Sequence, residues 1–206
     1  MLVFACLSPH PPLILPSVGS PTDREKVKST IKALELLAPK LAKAKPEIII
    51  ISSPHPDWGF EVPLHFLVKQ HSSYKIKTIL TDFESPQVHF ERGKQFIKSL
   101  PLATRGAWIA SGDMSHRLKE DGPYGFHPSG PKFDQEFIRL LKSKNIQGIL
   151  NLPERLVEEA GECGLRSFCM LLGALEASKT KWQPKVLSYE GPFGVGYLVT
   201  QFIING

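Results

Sequence analysis

Short apolar runs alternate along the chain with longer segments in which apolar residues recur every three or four positions. The runs are rich in Ile, Val and Leu, and prolines, glycines or serines close several of them, as is typical of buried strands. They predict strands at residues 2–7, 47–52, 62–68, 75–80, 107–110, 186–189 and 197–203. Pro63 weakens the prediction for the third run, because proline cannot donate a hydrogen bond to a sheet.

Helical spacing fills the segments between these runs. After the helix-start signal Ser20-Pro21-Thr22-Asp23, apolar side chains recur at Val27, Ile31, Leu34, Leu37 and Leu41. Pro39 should kink or end this helix early. Further helices are expected from Pro86 to about residue 100 and at residues 133–141, 153–159 and 165–177, of which the last is almost wholly apolar. The alternation predicts an α/β fold, one domain over residues 1–206 with a central, mostly parallel or mixed β-sheet flanked by helices.

The tetrapeptide Ser-Pro-His-Pro occurs twice, and each copy directly follows a predicted strand. The copies are Ser8-Pro9-His10-Pro11 and Ser53-Pro54-His55-Pro56. Proline fixes its own φ and restricts the residue before it, so both histidines have little backbone freedom. Neutral imidazole is the commonest metal ligand, and ligands of such sheets bind beyond the carboxyl ends of the strands. The duplication therefore favours a metal site over two proline-rich turns with incidental histidines.

A third ligand is expected from Gly161-Glu162-Cys163-Gly164, the turn before the apolar helix. The helix dipole would keep Glu162 ionised, and two histidines with one carboxylate are the ligands of non-haem Fe(II) enzymes and of some zinc sites. Glu162 could equally cap the helix N-terminus. Cys163 competes as a thiolate ligand, and a buried inert thiol is its alternative.

His116 is the candidate acid–base residue. It follows the turn Gly112-Asp113-Met114-Ser115 after a short apolar run, which should bring it to the same rim of the sheet as the other two histidines. Imidazole both takes and gives a proton near neutral pH. The alternative is a histidine in a surface loop. His127 is a further candidate, because its loop, rich in Pro and Gly, would lie over the site.

Composition narrows the classes of function. Of the 206 residues, 42% are hydrophobic and 22% are charged, which is ordinary for a globular protein. The net charge of +5 comes without a dense basic block, so no nucleic-acid partner is expected. No membrane span or signal-peptide pattern occurs, which predicts a cytoplasmic protein without a membrane partner. The three cysteines have no spacing that predicts a disulfide framework or a C-x-x-C metal motif.

Four short motifs together resemble the LigB-type class III extradiol dioxygenases. They are Ser8-Pro9-His10-Pro11-Pro12, Ser53-Pro54-His55-Pro56, Gly112-Asp113-Met114-Ser115-His116-Arg117 and Ala160-Gly161-Glu162-Cys163-Gly164, in this order. The segment from Tyr189 to Tyr197 is similar as well. The resemblance is to the short branch of the superfamily, which includes the B component of the AMMECR-Memo-radical-SAM gene groups and the Memo proteins.

The resemblance implies an α/β sandwich with a mononuclear Fe(II) that is held by His10, His55 and Glu162, with Zn as the alternative metal. His116 would be the acid–base residue in opening a catechol-like ring beside its diol, so that the partners are a small aromatic substrate and O₂. A homodimer is expected by analogy. This chain is shorter than ring-cleaving members. Memo proteins carry a cysteine at the position of Cys163, so the alternatives are a Memo-like metal- or peptide-binding protein without turnover, or a zinc hydrolase with the same ligands.

Overall fold

The computed structural model describes residues 1–68 and 74–205. Over these residues the fold is α/β, as predicted, with a mixed sheet between helices. The strands are β1 (Leu2–Ser8), β2 (Ile48–Ser53), β3 (Lys75–Leu80), β4 (Gly106–Ser111), β5 (Lys181–Glu190) and β6 (Tyr197–Asn205). The helices are α1 (Pro21–Lys26), α2 (Lys28–Ala44), α3 (Trp58–Pro63), α4 (Pro86–Ser99), α5 (Ser129–Lys142), α6 (Ile146–Leu150), α7 (Glu154–Ala160) and α8 (Leu165–Ala177).

The strand order in the sheet is β3-β2-β4-β1-β6-β5. The pairs β3–β2, β2–β4 and β4–β1 are parallel, whereas β6 pairs antiparallel with both β1 and β5. The carboxyl ends of β2, β4 and β1 therefore lie side by side at one edge of the sheet, which is where ligands bind in folds of this type.

The two faces of the sheet carry separate hydrophobic cores. On one face, α4, α5 and α8 pack around Trp108 and Phe168, both of which are almost wholly buried. On the other face, α2 presents Leu34, Leu37 and Leu41 to the strands, all fully buried. In α8 nearly every side chain is buried, as its apolar sequence predicts. Among the residues that the structure describes, no helix has the length and apolar character to cross a membrane.

The prediction of a strand at residues 62–68 is wrong. That segment continues α3 into a π-helical turn at Leu64–Val68. The Asp57 side chain accepts a hydrogen bond from the Trp58 N–H at 2.9 Å and so caps the start of α3. Val62 in α3 and Leu67 in the π-helical turn are both buried. A run of apolar residues this short does not distinguish a strand from a buried helical segment.

Of the two effects expected of Pro39, a kink or an early end of the helix, the early end is wrong, because α2 runs on to Ala44 with Pro39 inside it. The carbonyl that the missing proline N–H would have engaged belongs to Glu35. Both Glu35 and Pro39 lie on the exposed side of α2, so water can hydrate this carbonyl. The buried leucines on the opposite side hold the helix against the sheet and offset the lost hydrogen bond.

Candidate metal centre

Three polar side chains follow the ends of three adjacent parallel strands. His10 comes two residues after β1, His55 two residues after β2, and Asp113 two residues after β4. The strands are in register, since Ser8 pairs with Ser111 and Ser52 pairs with Ala110. Equal offsets from paired positions bring the three side chains to the same rim. The expectation that the two Ser-Pro-His-Pro loops meet there agrees with this geometry.

His10 is held by one hydrogen bond of its backbone and one of its ring. Its backbone N–H donates to Asp113 Oδ1 at 3.0 Å, and its Nδ1 lies 3.0 Å from Ser111 Oγ. Burial, followed by the neighbouring His55, lowers the pKa of His10 to about 3, so the imidazole is neutral at physiological pH. In the tautomer in which Nδ1 donates to Ser111, the Nε2 lone pair is free to bind a cation.

His55 lies beside His10 and is exposed to solvent. The two imidazole centroids are 5.2 Å apart, with the rings nearly perpendicular. The His55 backbone N–H donates to Ser53 Oγ at 3.1 Å, which fixes the loop after β2. The pair therefore has one buried and one accessible imidazole, an arrangement that leaves an open side towards solvent.

Cys163 completes this group because two loop backbones touch. A Cβ on Gly112 would collide with the Cα of Gly164, so only glycine allows the turn before α8 to approach the end of β4 so closely. Gly164 N–H donates to the Asp113 carbonyl at 3.0 Å, and Asp113 N–H donates to Cys163 Sγ at 3.2 Å. Cys163 Sγ then lies 3.6 Å from His10 Nε2.

The three side chains form a donor set that fits a cation. One donor atom each of His10, His55 and Cys163 lies within 4.8 Å of the others. Burial and the nearby Asp113 raise the pKa of the Cys163 thiol, and a bound cation would counteract this by favouring the thiolate. Two imidazoles and one sulfur are borderline-to-soft donors, which zinc and other late transition metals accept.

A second group overlaps the first. Donor atoms of Asp113, His116 and Cys163 also lie within 4.8 Å of one another. Burial raises the pKa of Asp113 to about 6, although the His10 N–H opposes this. Sequence reasoning treated Asp113 only as part of a turn. The available signal was its position two residues beyond β4, which matches the position of His10 after β1.

His116 lies at the same rim, where the sequence predicts an acid–base residue. Its backbone N–H donates to the Ala160 carbonyl, and its ring lies against Tyr124 with centroids 5.0 Å apart. Burial lowers the pKa of His116, while Asp113 opposes the shift. Its Nε2 is buried and has no hydrogen-bond partner within residues 1–68 and 74–205. The hydrogen-bonding capacity of this ring nitrogen is therefore unused within the described residues.

Glu162 is not brought to the histidines. It is absent from both donor groups in the described part of the chain, and its Oε2 instead accepts the Leu165 N–H at 2.5 Å. Its Oε1 lies 3.9 Å from Arg166 Nη1. The carboxylate thus caps the first turn of α8, which is the alternative that the sequence left open. Burial raises the pKa of Glu162 to about 7, with the Leu165 hydrogen bond opposing the shift.

His127 also lies apart from the two donor groups. Its Nδ1 accepts the Ser129 N–H at 3.2 Å and lies 4.0 Å from Glu159 Oε2. Its backbone N–H donates to the Arg117 carbonyl. These contacts stabilise the start of α5, so the geometry gives His127 a structural position at the helix end.

Asp134 supports the turn before His116, and no sequence pattern indicated this residue. This fully buried carboxylate of α5 accepts the Ser115 N–H at 2.8 Å and the Tyr189 hydroxyl at 2.5 Å. A Cβ on Gly196 would collide with Asp134 Oδ2, so the glycine leaves room for the carboxylate. Burial raises the pKa of Asp134 to about 6. The carboxylate fixes the turn that presents His116.

Comparisons with known proteins agree with the fold and the motifs. A family model described as the catalytic LigB subunit of aromatic ring-opening dioxygenase matches residues 53–200. The chain is 33% identical to Protein CA_C1420 of Clostridium acetobutylicum in an alignment of 261 residues. This alignment includes 93% of this chain and 55% of that protein. The chain therefore spans about half the length of this relative. The matched stretch exceeds the 206 residues of this chain, so the relative has insertions within it.

The fold is also similar to a solved structure. The crystal structure of the uncharacterized protein JW3007 from Escherichia coli K12 has a TM-score of 0.51 with 12% identity, and the match covers 96% of this chain and 98% of that one. At this level of identity the similarity concerns the fold alone.

Proposed function

Because the chain belongs to the family of the catalytic LigB subunit of aromatic ring-opening dioxygenase, we propose that it is a metal-dependent dioxygenase of the extradiol type. In this proposal it adds O₂ to a catechol-like ring beside the two hydroxyl groups. The observation that carries the proposal is the cluster of His10, His55 and Cys163 beside His116 at the carboxyl ends of three parallel strands.

In the proposed site, His10, His55 and Cys163 would hold the metal, with Ser111 orienting the His10 ring. A bound Fe(II) would place a diol and O₂ side by side and couple their electrons. The exposed side of His55 gives the substrate its way in.

His116 would be the acid–base residue for the proton of a substrate hydroxyl. Its unpartnered, buried Nε2 faces no competing protein group among the described residues, so it can accept a proton from a substrate hydroxyl and return it to the product. Burial keeps the ring neutral and ready to accept that proton, while Asp113 stabilises the protonated form. Tyr124 lies on the ring and limits its rotation.

The test is oxygen uptake by the protein purified and loaded with Fe(II) under anaerobic conditions. Catechol, protocatechuate and aminophenols form the panel, and the absorbance of a ring-opened product is followed in parallel. We expect uptake that is stoichiometric with product for at least one diol and abolished by removal of the iron. Full iron occupancy without uptake for any diol would reject the proposal.

A second candidate is a metal-binding protein without turnover, and the position of Cys163 favours it. A thiolate in place of a carboxylate shifts preference towards softer ions such as Zn²⁺. Anaerobic competition between Zn²⁺ and Fe²⁺, read by elemental analysis, separates the two candidates. Retention of zinc against a large excess of ferrous iron, together with no oxygen uptake, would support the second one.

A further inference from the structure

A cavity of about 360 Å³ lies where the starts of α4 and α8 meet α7. Leu150, Leu152, Val157 and Leu165 contribute apolar side chains to its wall, and the exposed ring of Phe83 lines it as well. Among the described residues, none of the candidate metal ligands lines this cavity. Its volume is at the lower end of the range that small-molecule sites occupy. The cavity is therefore separate from the metal centre and large enough for a small ligand.

Arg166 lines the cavity, and its guanidinium is only partly engaged. Its Nε donates to the Glu84 carbonyl at 2.9 Å, which fixes the group in place. Its Nη1 lies 3.9 Å from Glu162 Oε1, beyond hydrogen-bond distance. Within residues 1–68 and 74–205, neither terminal nitrogen of Arg166 has a hydrogen bond. Two free terminal nitrogens of a guanidinium match the two oxygens of a carboxylate, so Arg166 offers a place for one.

Two carboxylates of α7 line the same cavity. Glu154 and Glu158 lie one helical turn apart, where like charges repel each other. Arg155 of the same helix does not relieve this repulsion, because it pairs with Glu159 at 2.7 Å. In the described part of the chain, no cationic side chain forms an ion pair with Glu154 or Glu158. Two uncompensated carboxylates beside a cavity attract a ligand's ammonium group.

We propose that this cavity binds a small zwitterion with an apolar side chain, of the class of the apolar amino acids. The ligand's carboxylate binds the free donors of Arg166, its ammonium group binds the carboxylates of Glu154 and Glu158, and its side chain packs on Val157 and Leu165. A simple carboxylic acid meets repulsion from the two glutamates, and a simple amine meets repulsion from the guanidinium. The proposal depends neither on a metal nor on dioxygenase activity.

The first experiment is calorimetric titration of the full chain with L-phenylalanine and L-leucine. The chain is kept free of metal, because amino acids chelate metals. We expect a dissociation constant on the order of 0.1–1 mM for at least one of the two. The analogues 3-phenylpropionate and 2-phenylethylamine, which lack the amine and the carboxylate, should bind about 10–100-fold more weakly than phenylalanine, because each loses a charged hydrogen-bond partner. No binding of either amino acid, or an analogue that binds as tightly as phenylalanine, would overturn the proposal.

The second experiment locates the ligand in this cavity. The combined substitutions Glu154→Gln and Glu158→Gln, both at exposed positions, should weaken amino-acid binding by about tenfold or more and leave the binding of 3-phenylpropionate as strong or stronger. Glu35→Gln, on the exposed side of α2, is the matched control and should bind as the parent does. Val157→Phe should fill the cavity and abolish binding, with circular dichroism as the check on folding. Unchanged amino-acid affinity in the double glutamine variant would refute the proposed site, whether or not Val157→Phe folds.

Discussion

Glu162→Ala and Cys163→Ser should have opposite effects on stability and on metal binding. The Glu162 carboxyl accepts the Leu165 N–H at the start of α8, and alanine would leave this donor without a partner. Loss of a helix cap together with an unsatisfied N–H costs about 1–3 kcal/mol. For a chain of this length each kcal/mol lowers the melting temperature by about 2–4 °C. Glu162→Ala should therefore melt several degrees lower while binding metal as the parent does.

Cys163→Ser should keep its melting temperature in the metal-free state, because a hydroxyl oxygen can accept the Asp113 N–H in place of sulfur. Losing a residue that hydrogen-bonds to a metal ligand lowers metal affinity by roughly 10–100-fold. Because Cys163→Ser changes a ligand itself, its metal affinity should fall by more than this. The assay is titration with Co²⁺, whose absorption reports a bound thiolate, combined with thermal melting of the metal-free protein at a pH near 6.

Glu162→Gln is the matched control. Its amide oxygen can still accept the Leu165 N–H, so the melting temperature should stay close to that of the parent, and metal affinity should not change. The reasoning would be refuted if both substitutions of Glu162 abolished metal binding and Cys163→Ser preserved it. That result would make Glu162 a ligand in solution.

Three further predictions concern the rim and its supports. Because burial raises the pKa of Glu162 from its ordinary value of 4.5 to about 7, the folded state holds this proton more tightly than the unfolded state. As the pH rises from about 4.5 to about 7, the free energy of unfolding of the metal-free protein should therefore fall, by up to about 1.4 kcal/mol per pH unit from this group. Chemical denaturation of Glu162→Gln should show a shallower fall of this free energy with pH. His116→Ala should leave metal content, measured by elemental analysis, nearly intact and lower any oxygen uptake by about 10²–10⁴-fold; loss of metal as well would identify His116 as a ligand. Asp134→Ala should destabilise the protein by about 2–4 kcal/mol in urea, because it leaves the Ser115 N–H and the Tyr189 hydroxyl without their acceptor; an unchanged urea midpoint would contradict this.

Local patterns predicted most elements of the fold. Short apolar runs predicted the strands that form the sheet, and α8 was predicted with its observed ends. The segment Leu64–Val68 was not predicted, because the cap at Asp57 and the packing of Leu67 against the sheet-facing core decide its helical form. Pro39 likewise remains in α2 because contacts distant in sequence hold that helix.

The sequence by itself predicted that His10, His55 and His116 share one rim, since each follows an apolar run that reads as a strand and is β1, β2 or β4 in the structure. It could not choose between Glu162 and Cys163, which are neighbours in one turn. Side chains of adjacent residues point in different directions, so the choice depends on how that turn meets the end of β4. The contact between Gly112 and Gly164, which lie far apart in the chain, turns the sulfur towards His10 and the carboxylate towards the N-terminus of α8. Only tertiary packing fixes that contact, because it depends on the placement of a helix and a strand relative to each other.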